Sequence, residues 1–236
     1  MKKIFVIFVF IVLNHLLLAQ DEIALNYQSV DHKKIHFGFT LGFNTMDFDI
    51  TPSMQPYGPD SAVLVPELND LVPGFHVGIV SELKLYDNLS LRFLPGISLG
   101  QRKILFYDGN QQVVSEMKIE STYIDLPVLL KYKAVRIHNT RPYLIGGINV
   151  RNDMARNKEF NEDEDIYIKL KSFDMYYEIG VGVDFYLAFF KFSTEVKYSV
   201  GSLNVVSSDA YEEFPQYANS IDKIKSRMFM VSLHFE

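Results

Sequence analysis

The sequence predicts an all-β fold, an eight-stranded antiparallel transmembrane β-barrel. Apolar residues alternate with polar or small ones along strand-length segments from residue 34 to the end. The connections between those segments alternate between long and short. No stretch of the exported chain is apolar and charge-free for the ~20 residues that a spanning helix needs. With 236 residues, 48% hydrophobic and 22% charged, the chain is a folded protein rather than a low-complexity one. Its 23 basic and 29 acidic residues give a formal charge of -6, so the basic footprint of a nucleic-acid binder is missing and no nucleic-acid partner is expected. The lack of Cys removes disulfides, thiolate metal sites, a thiol nucleophile and a lipid-bearing Cys.

The first segment reads as a secretory signal peptide over 1–19. Lys2 and Lys3 precede an apolar run from Ile4 to Leu18 that ends in Ala19-Gln20. The apolar run is short for an uncleaved anchor. The barrel domain is therefore expected over 20–236, carried beyond the inner membrane.

Strand one is expected over 34–44, where Ile35, Phe37, Phe39, Leu41 and Phe43 share one parity and His36, Gly38, Thr40, Gly42 and Asn44 the other. Strand two, 74–85, sets Phe75, Val77, Ile79, Leu83 and Leu85 against Gly74, His76, Gly78, Glu82 and Lys84. The turn Tyr86-Asp87-Asn88 leads into strand three, 89–102, with Leu89, Leu91, Phe93, Ile97 and Leu99 opposite Ser90, Arg92, Gly96, Ser98, Gly100 and Arg102. Strand four, 122–132, places Ile124, Leu126, Val128, Leu130 and Tyr132 against Tyr123, Asp125 and Lys131, and Pro127 suggests a bulge or an unpaired donor position there. Strand five, 142–151, sets Leu144, Ile148 and Val150 against Tyr143, Asn149 and Arg151. Strand six, 173–185, alternates Phe173, Met175, Tyr177, Ile179, Val181, Val183 and Phe185 with Asp174, Glu178, Gly180, Gly182 and Asp184. Strand seven runs to Val200, its Lys191, Ser193, Glu195, Lys197 and Ser199 opposing Phe192, Thr194, Val196 and Tyr198. Strand eight ends the chain with Phe229, Val231, Leu233 and Phe235 against Met228, Met230, Ser232 and His234. A helix would scatter Glu178, Asp184, Lys191, Glu195 and Lys197 around its cylinder, whereas strands collect them on one face.

Period two alone does not say whether the oily face meets a protein core or lipid, so a soluble barrel or sandwich competes with the membrane barrel. Connections 45–73, 103–121, 152–172 and 201–227 are long and 86–88, 133–141 and 186–189 shorter. From a periplasmic N-terminus all the long ones emerge at the outer end, an asymmetry typical of outer-membrane barrels. Asp108-Gly109-Asn110 is expected to cap a hairpin within 103–121. The polar parity mixes both charge signs with Gly and Ser, which suits a narrow lumen filled by side chains. Tyr86, Tyr132, Tyr143, Phe173, Phe185, Tyr186, Phe189, Tyr198 and Phe235 crowd strand ends, where aromatic girdles lie. Closure follows from energetics, because an open edge in lipid leaves unpaired backbone groups costing several kcal/mol each. Barrels of this kind commonly finish on an aromatic residue, and here Phe235 is followed by Glu236.

Arg92, Arg102, Asp125, Lys131, Arg151, Glu178, Asp184, Lys191, Glu195 and Lys197 are expected inside as a structural ion-pair network, since an unpaired buried charge is strongly unfavourable. A proton path or ligand site is the sharper alternative, and a pore is not expected. His36 and His234 should approach each other on closure, with Ser232 on the face of His234. That pair raises the thought of a lipid hydrolase, but no G-x-S-x-G or H-E-x-x-H motif accompanies it and no acid is placed to orient the His. The acidic stretch Glu159 to Asp165 lacks calcium-loop spacing, and the prolines of 51–73 give a stiffened loop without a regular P-x-x-P register. No catalytic residue, metal or cofactor is expected.

The segments Phe37-Gly-Phe-Thr-Leu-Gly-Phe-Asn44, Pro73-Gly-Phe-His-Val-Gly78 and Tyr123-Ile-Asp-Leu-Pro-Val-Leu-Leu-Lys-Tyr-Lys133, followed by Arg141-Pro-Tyr-Leu-Ile-Gly-Gly147, carry a resemblance over nearly the whole exported chain. The sequence resembles the PorT-like family of Bacteroidetes outer-membrane β-barrel proteins. That resemblance implies residence in the outer membrane among its lipids. It also implies a part in the type IX secretion system, which supports gliding motility in some members, with other secretion-system proteins as partners. It brings no catalytic residue. A stand-alone surface barrel for adhesion or envelope stability is the competing function.

Overall fold

The computed structural model describes residues 25–27, 33–53, 56, 63–68, 71–157, 168, 170–207, 217 and 219–236. The signal peptide expected over 1–19 and the acidic stretch 159–165 lie outside these residues, as does part of the proline-rich segment. The strands are β1 (Ile35–Pro52), β2 (Val65–Leu68), β3 (Pro73–Tyr86), β4 (Leu89–Phe93), β5 (Gly96–Tyr107), β6 (Val113–Lys133), β7 (Thr140–Asp153), β8 (Phe173–Tyr186), β9 (Lys191–Gly201) and β10 (Ile221–Phe235). Every strand pairing is antiparallel, and β1 pairs with both β10 and β3.

The ring closes, and its stagger can be followed residue by residue. Phe37 partners Ser81, which leads through Phe93, Val128, Ile148, Tyr177, Val200 and Arg227 back to β1 at Asp47. One circuit therefore advances ten residues along β1, from Phe37 to Asp47, the stagger that tilted strands need in order to close.

Eight positions make the ring, because β4 and β5 together occupy the place of the single strand expected over 89–102. The interruption at Leu94-Pro95 has a chemical cause. The Pro95 carbonyl accepts from Ile79 N–H (2.9 Å) and the Pro127 carbonyl from Leu94 N–H (3.3 Å), but neither proline has an N–H to return. Two rungs are lost on adjacent strands while the register holds on both sides: Phe93 partners Val128 and Gly96 partners Asp125. Pro127 thus marks an unpaired donor position and not a bulge.

The outer parts of the strands run further than the sequence pattern predicts. β1 continues to Pro52, β5 and β6 extend to a tight turn at Asp108–Gln112, and β10 begins at Ile221, so 45–73, 103–121 and 201–227 are only partly loops. The turn matches the expected hairpin cap: Gln111 N–H donates to Asp108 O, and Asp108 Oδ1 accepts from Asn110 and Gln112 N–H. β2 pairs with the outer part of β5, continuing the wall beyond Pro73 where β3 begins. The long-versus-short asymmetry of the two ends persists, with 87–88, 134–139 and 187–190 at the inner end.

The outward faces change character along each strand. On β1 the apolar series from Ile35 to Phe43 gives way to Thr45, Asp47 and Asp49; on β10 Phe229 gives way to Arg227, Lys225 and Lys223. Phe37, Phe43, Ile79, Tyr132, Leu144, Ile179 and their neighbours are exposed large hydrophobics. The nine residues from Ile35 to Phe43 rise roughly 23 Å at ~3.3 Å per residue and a tilt of about 40°, close to the ~25 Å apolar band of outer-membrane barrels. Above that band Arg227 Nη2 meets Asp49 Oδ2 at 2.5 Å and Lys103 Nζ meets Glu116 Oε1 at 3.0 Å, polar pairs suited to water.

The aromatic girdle needs one revision. Tyr86, Tyr132, Phe173, Phe189 and Tyr198 are exposed, and Phe235 stacks on Phe39 at 4.8 Å, but Tyr143 and Tyr186 point inward and are buried. Their parity, not their nearness to strand ends, decides their direction.

Candidate functional site

The described interior is built in tiers. Nearest the inner end lies an ionic tier whose hub is Glu82. Its carboxylate accepts from Arg92 Nε (3.2 Å) and Lys133 Nζ (2.9 Å), with Lys131 Nζ at 3.5 Å and Lys191 Nζ at 3.8 Å. Asp184 receives Lys131 on both oxygens at 2.8 Å and Ser193 Oγ at 2.6 Å. Glu195 takes Arg92 Nη1 (3.3 Å) and the Tyr143 hydroxyl (2.9 Å), and Glu236 takes Arg92 Nη2 and Lys191 Nζ. Tyr143 lies beneath Lys131, whose Nζ is 3.8 Å from the ring centroid. Gly182 makes room for that ring, since a Cβ there would overlap its Cζ and hydroxyl.

A second tier gathers around Arg151. Its Nε donates to Asp125 Oδ1 (2.5 Å) and its Nη2 to Glu178 Oε1 (2.9 Å), and the guanidinium sits 4.2 Å from the Tyr176 ring centroid. Glu178 also receives Lys197 Nζ (2.8 Å), Asn149 Nδ2 (2.8 Å) and Ser199 Oγ (3.0 Å). Asp125 accepts from Ser98 Oγ, which in turn is 2.9 Å from His76 Nδ1. Higher still, Arg102 lies 4.0 Å from the Phe48 ring centroid and donates to Ser121 Oγ and the Tyr123 hydroxyl.

Beyond Arg102 the inward faces turn apolar. Phe48, Ile104, Phe106, Met117, Ile119, Ile221 and Ile224 form a hydrophobic core inside the outer half of the ring, joined by Ile168 and Leu170 and by Val205 and Val206 from the outer connections. The charged and small interior expected along the predicted strands thus gives way to an apolar one where the ring continues into segments expected as connections. Above the lipid band the ring stands in water on its outside, so an oily interior is what stabilises it there.

All ten residues expected inside are buried, and the side chains of Arg92, Lys131, Arg151, Asp184 and Glu195 are almost wholly enclosed. Glu82, Lys133 and Glu236 join the ten in the network, and parity marks all three: Glu82 partners Arg92 across β3 and β4, Lys133 follows Lys131 at the next inward position, and Glu236 follows His234. The pairing of His36 with His234 is corrected by register. The partner of His234 on β1 is Thr40, and His234 Nε2 faces Glu195 Oε2 at 3.4 Å. Ser232 and His234 are both buried in the lumen, away from any substrate surface.

Little space remains for chemistry. The gap bounded by His76, Asp125, Asn149, Arg151, Lys197 and His234 holds about 10 Å³, room for a single water. Among the described residues no group of three or more His, Asp or Glu side chains is placed to hold a metal ion. At the inner turn, a hydrogen bond from Lys84 holds the exposed Asp87 carboxyl below its ordinary range.

A lipid-width apolar band around a closed, filled ring is the architecture of small outer-membrane barrels, and the family comparison agrees. The family model described as "Outer membrane protein beta-barrel domain" matches residues 19–208. The chain belongs to this family. Its members' setting places this barrel in the outer membrane, with lipid against the band. No curated protein matches the sequence. Among solved structures, OprG of Pseudomonas aeruginosa is similar at 14% identity over 84% of this chain and 94% of that one, with a TM-score of 0.48. Neisserial surface protein A is similar at 10% identity over 86% and 98%, TM-score 0.43. Ail of Yersinia pestis, solved with the heparin analogue sucrose octasulfate, is similar at 12% identity over 86% and 99%, TM-score 0.39.

Proposed function

We propose that this outer-membrane barrel is a non-catalytic scaffold or assembly component that works through its surfaces and not through its lumen. The filled interior carries the reading. Glu82, Glu195 and Glu236 cross-link Arg92, Lys131, Lys133 and Lys191 across the inner half, and the Phe48–Ile104–Phe106 core fills the outer half, leaving among the described residues no passage for a folded cargo. The type IX secretion system is the machinery in which we place that scaffold, and other proteins of that system are its partners. The support is the Ile124-Asp-Leu-Pro-Val-Leu-Leu-Lys-Tyr132 element with the glycine-punctuated openings of β1 and β3. Contacts would come from the outer connections or the inner turns.

Deleting the gene and assaying export of proteins that carry type IX signals tests this role: export should fail, and normal export would reject it. Purified barrel in planar bilayers should give no discrete conductance steps, since none of the described lumen is open. A stand-alone surface role for adhesion is favoured by the hairpin of β5 and β6, whose Val113 and Val114 are more than half exposed beyond the lipid band. Intact secretion combined with lost surface attachment would select that reading.

A further inference from the structure

The chain enters the ring from across its inner mouth. β1 begins at Ile35, and β7 is the fourth neighbour of β1 whichever way the ring is followed, so the inner turn 134–139 between β6 and β7 stands opposite that entry. Asn26 is bonded at this far side. The ring of Tyr27, next in the chain, is met by Lys33 at the foot of β1, whose Nζ lies 5.8 Å from the ring centroid.

The grip on Asn26 is mainly on its backbone. Its N–H donates to Asn139 Oδ1 (2.8 Å) and its carbonyl accepts from Arg136 Nη2 (2.6 Å), while its side-chain Nδ2 donates to the Tyr186 carbonyl (3.3 Å). The three gripping residues are themselves fixed by the ring. Arg136 donates to Asn139 Oδ1 (3.0 Å) and, from Nε, to the His138 carbonyl (2.8 Å), and its guanidinium lies 3.7 Å from the centroid of the buried Tyr186 ring. Tyr186 N–H in turn donates to the Asn139 carbonyl (2.8 Å). A carboxamide oxygen and a guanidinium fork held in this way are complementary to the N–H and C=O of one peptide residue.

Backbone conformation singles out the same contact. Among the described residues the non-glycine positions with positive φ are Tyr27 (47°), Gln111 (61°) and His138 (53°). Such a conformation is uncommon without glycine and persists where its surroundings over-determine it. Gln111 belongs to the tight outer turn; Tyr27 and His138 sit on the two sides of the Asn26 contact, one in the held segment and one in the turn that holds it. No rung of the ring passes through Asn26, and Leu25 is half exposed, so the contact can open while the ring stays closed.

We propose that Arg136, Asn139 and Tyr186 form a backbone-reading peptide clamp whose occupant is this chain's own Leu25-Asn26-Tyr27, a latch that fixes the N-terminal arm on the far side of the inner mouth. It goes beyond the scaffold role and does not depend on it. Tyr186 also lines, with His36, Lys133, Arg141 and Lys191, a gap of about 10 Å³ at that mouth, so the latch borders the ionic tier. Opening it frees the arm and uncovers the clamp in one step.

The protein has no Cys, so a pair of introduced thiols carries the only nitroxide labels. Leu25→Cys with Val135→Cys spans the latch, and Val135→Cys with Leu187→Cys joins two inner turns of the ring as a control. Each full-length variant, its fold checked by heat-modifiable gel migration, is placed in lipid nanodiscs and its label-to-label distances are measured by pulsed electron paramagnetic resonance.

The latch predicts one narrow distance distribution for the Leu25–Val135 pair. Arg136→Met with Asn139→Leu should widen it at least twofold and leave the control pair unchanged, whereas Asn139→Asp, which keeps the acceptor oxygen, should keep it narrow. A Leu25–Val135 distribution that is already broad with the clamp intact, or one that stays narrow after both clamp residues are replaced, would overturn the proposal. Equal widening of the latch and control pairs would show a loosened turn instead of a released arm, and would overturn it as well.

Discussion

Glu236 Oε2 lies 2.8 Å from Lys191 Nζ inside the inner mouth of the ring, and the backbones of the same two residues exchange hydrogen bonds of 2.7 and 2.9 Å. The residue after the final aromatic is thus built into the lumen, where its carboxylate also meets Arg92. Phe235 stays outside, stacked on Phe39 and 5.3 Å from Phe192. Glu236 adds one inward rung beyond Phe235 without displacing that outward ring.

Replacing that carboxylate should therefore weaken the ring at its closing seam. Glu236→Gln keeps the size but removes the charge facing Arg92 and Lys191, and should cost about 1–3 kcal/mol in urea unfolding from lipid vesicles. Phe235→Leu, which keeps the outward apolar contact, should cost less. Equal losses would mean that the Glu236 pairing is incidental.

Glu82 should matter more than any other single acid of the network. It faces four cations, and Glu82→Gln leaves them with excess positive charge among buried side chains. Breaking a buried pair from one side typically costs ~3–5 kcal/mol. Glu82→Gln combined with Lys133→Met should recover part of that loss in the same unfolding measurement, and an additive double variant would show that the two do not interact.

Gly182 and Tyr143 form a steric pair across β8 and β7. Gly182→Ala should destabilise by about 1–3 kcal/mol through overpacking. Tyr143→Leu alone should also destabilise, because Glu195 loses its hydroxyl donor and Lys131 its ring. In the double variant the part of the penalty due to the ring should vanish, while the Thr194 carbonyl, 2.7 Å from the added methyl group, keeps the rest. Persistence of the full penalty would place the strain elsewhere.

These residues also show what the sequence could and could not display. Strand number, face assignment and the inward direction of the ten charged residues follow from parity, a local property of the chain. Glu82, Lys133 and Glu236 sit on the same parity and were within reach of the same reasoning. Register was not, because the partner of His234 depends on the stagger accumulated around the whole ring; Thr40 occupies the place expected for His36. Nor was the outer apolar core legible: Ile104, Phe106, Met117 and Ile119 alternate with Lys103, Lys118 and Glu120, so the oily face inverts from outside to inside as β5 and β6 leave the lipid. Alternation registers two faces, while the solvent around them decides which one is oily.

The same substitution at two depths on one strand isolates that solvent. Val128 and Val113 both lie on β6 and are 43% and 53% exposed, but Val128 is within the apolar band and Val113 beside the outer turn. Val128→Arg should cost ~2–4 kcal/mol, as for a cation near the bilayer midplane. Val113→Arg should stay within about 0.5 kcal/mol, as for ordinary surface changes. Matching costs would remove the case for a lipid boundary on this strand.

The most direct measurement is gel migration of the outer-membrane fraction with and without boiling. A closed ring whose outer face is solvated by hydrocarbon should be found in that fraction and should run as a compact, faster band until heated, then shift to the position of its full mass. Recovery of the protein as a soluble monomer in buffer without any amphiphile, with no heat-dependent shift, would contradict the account.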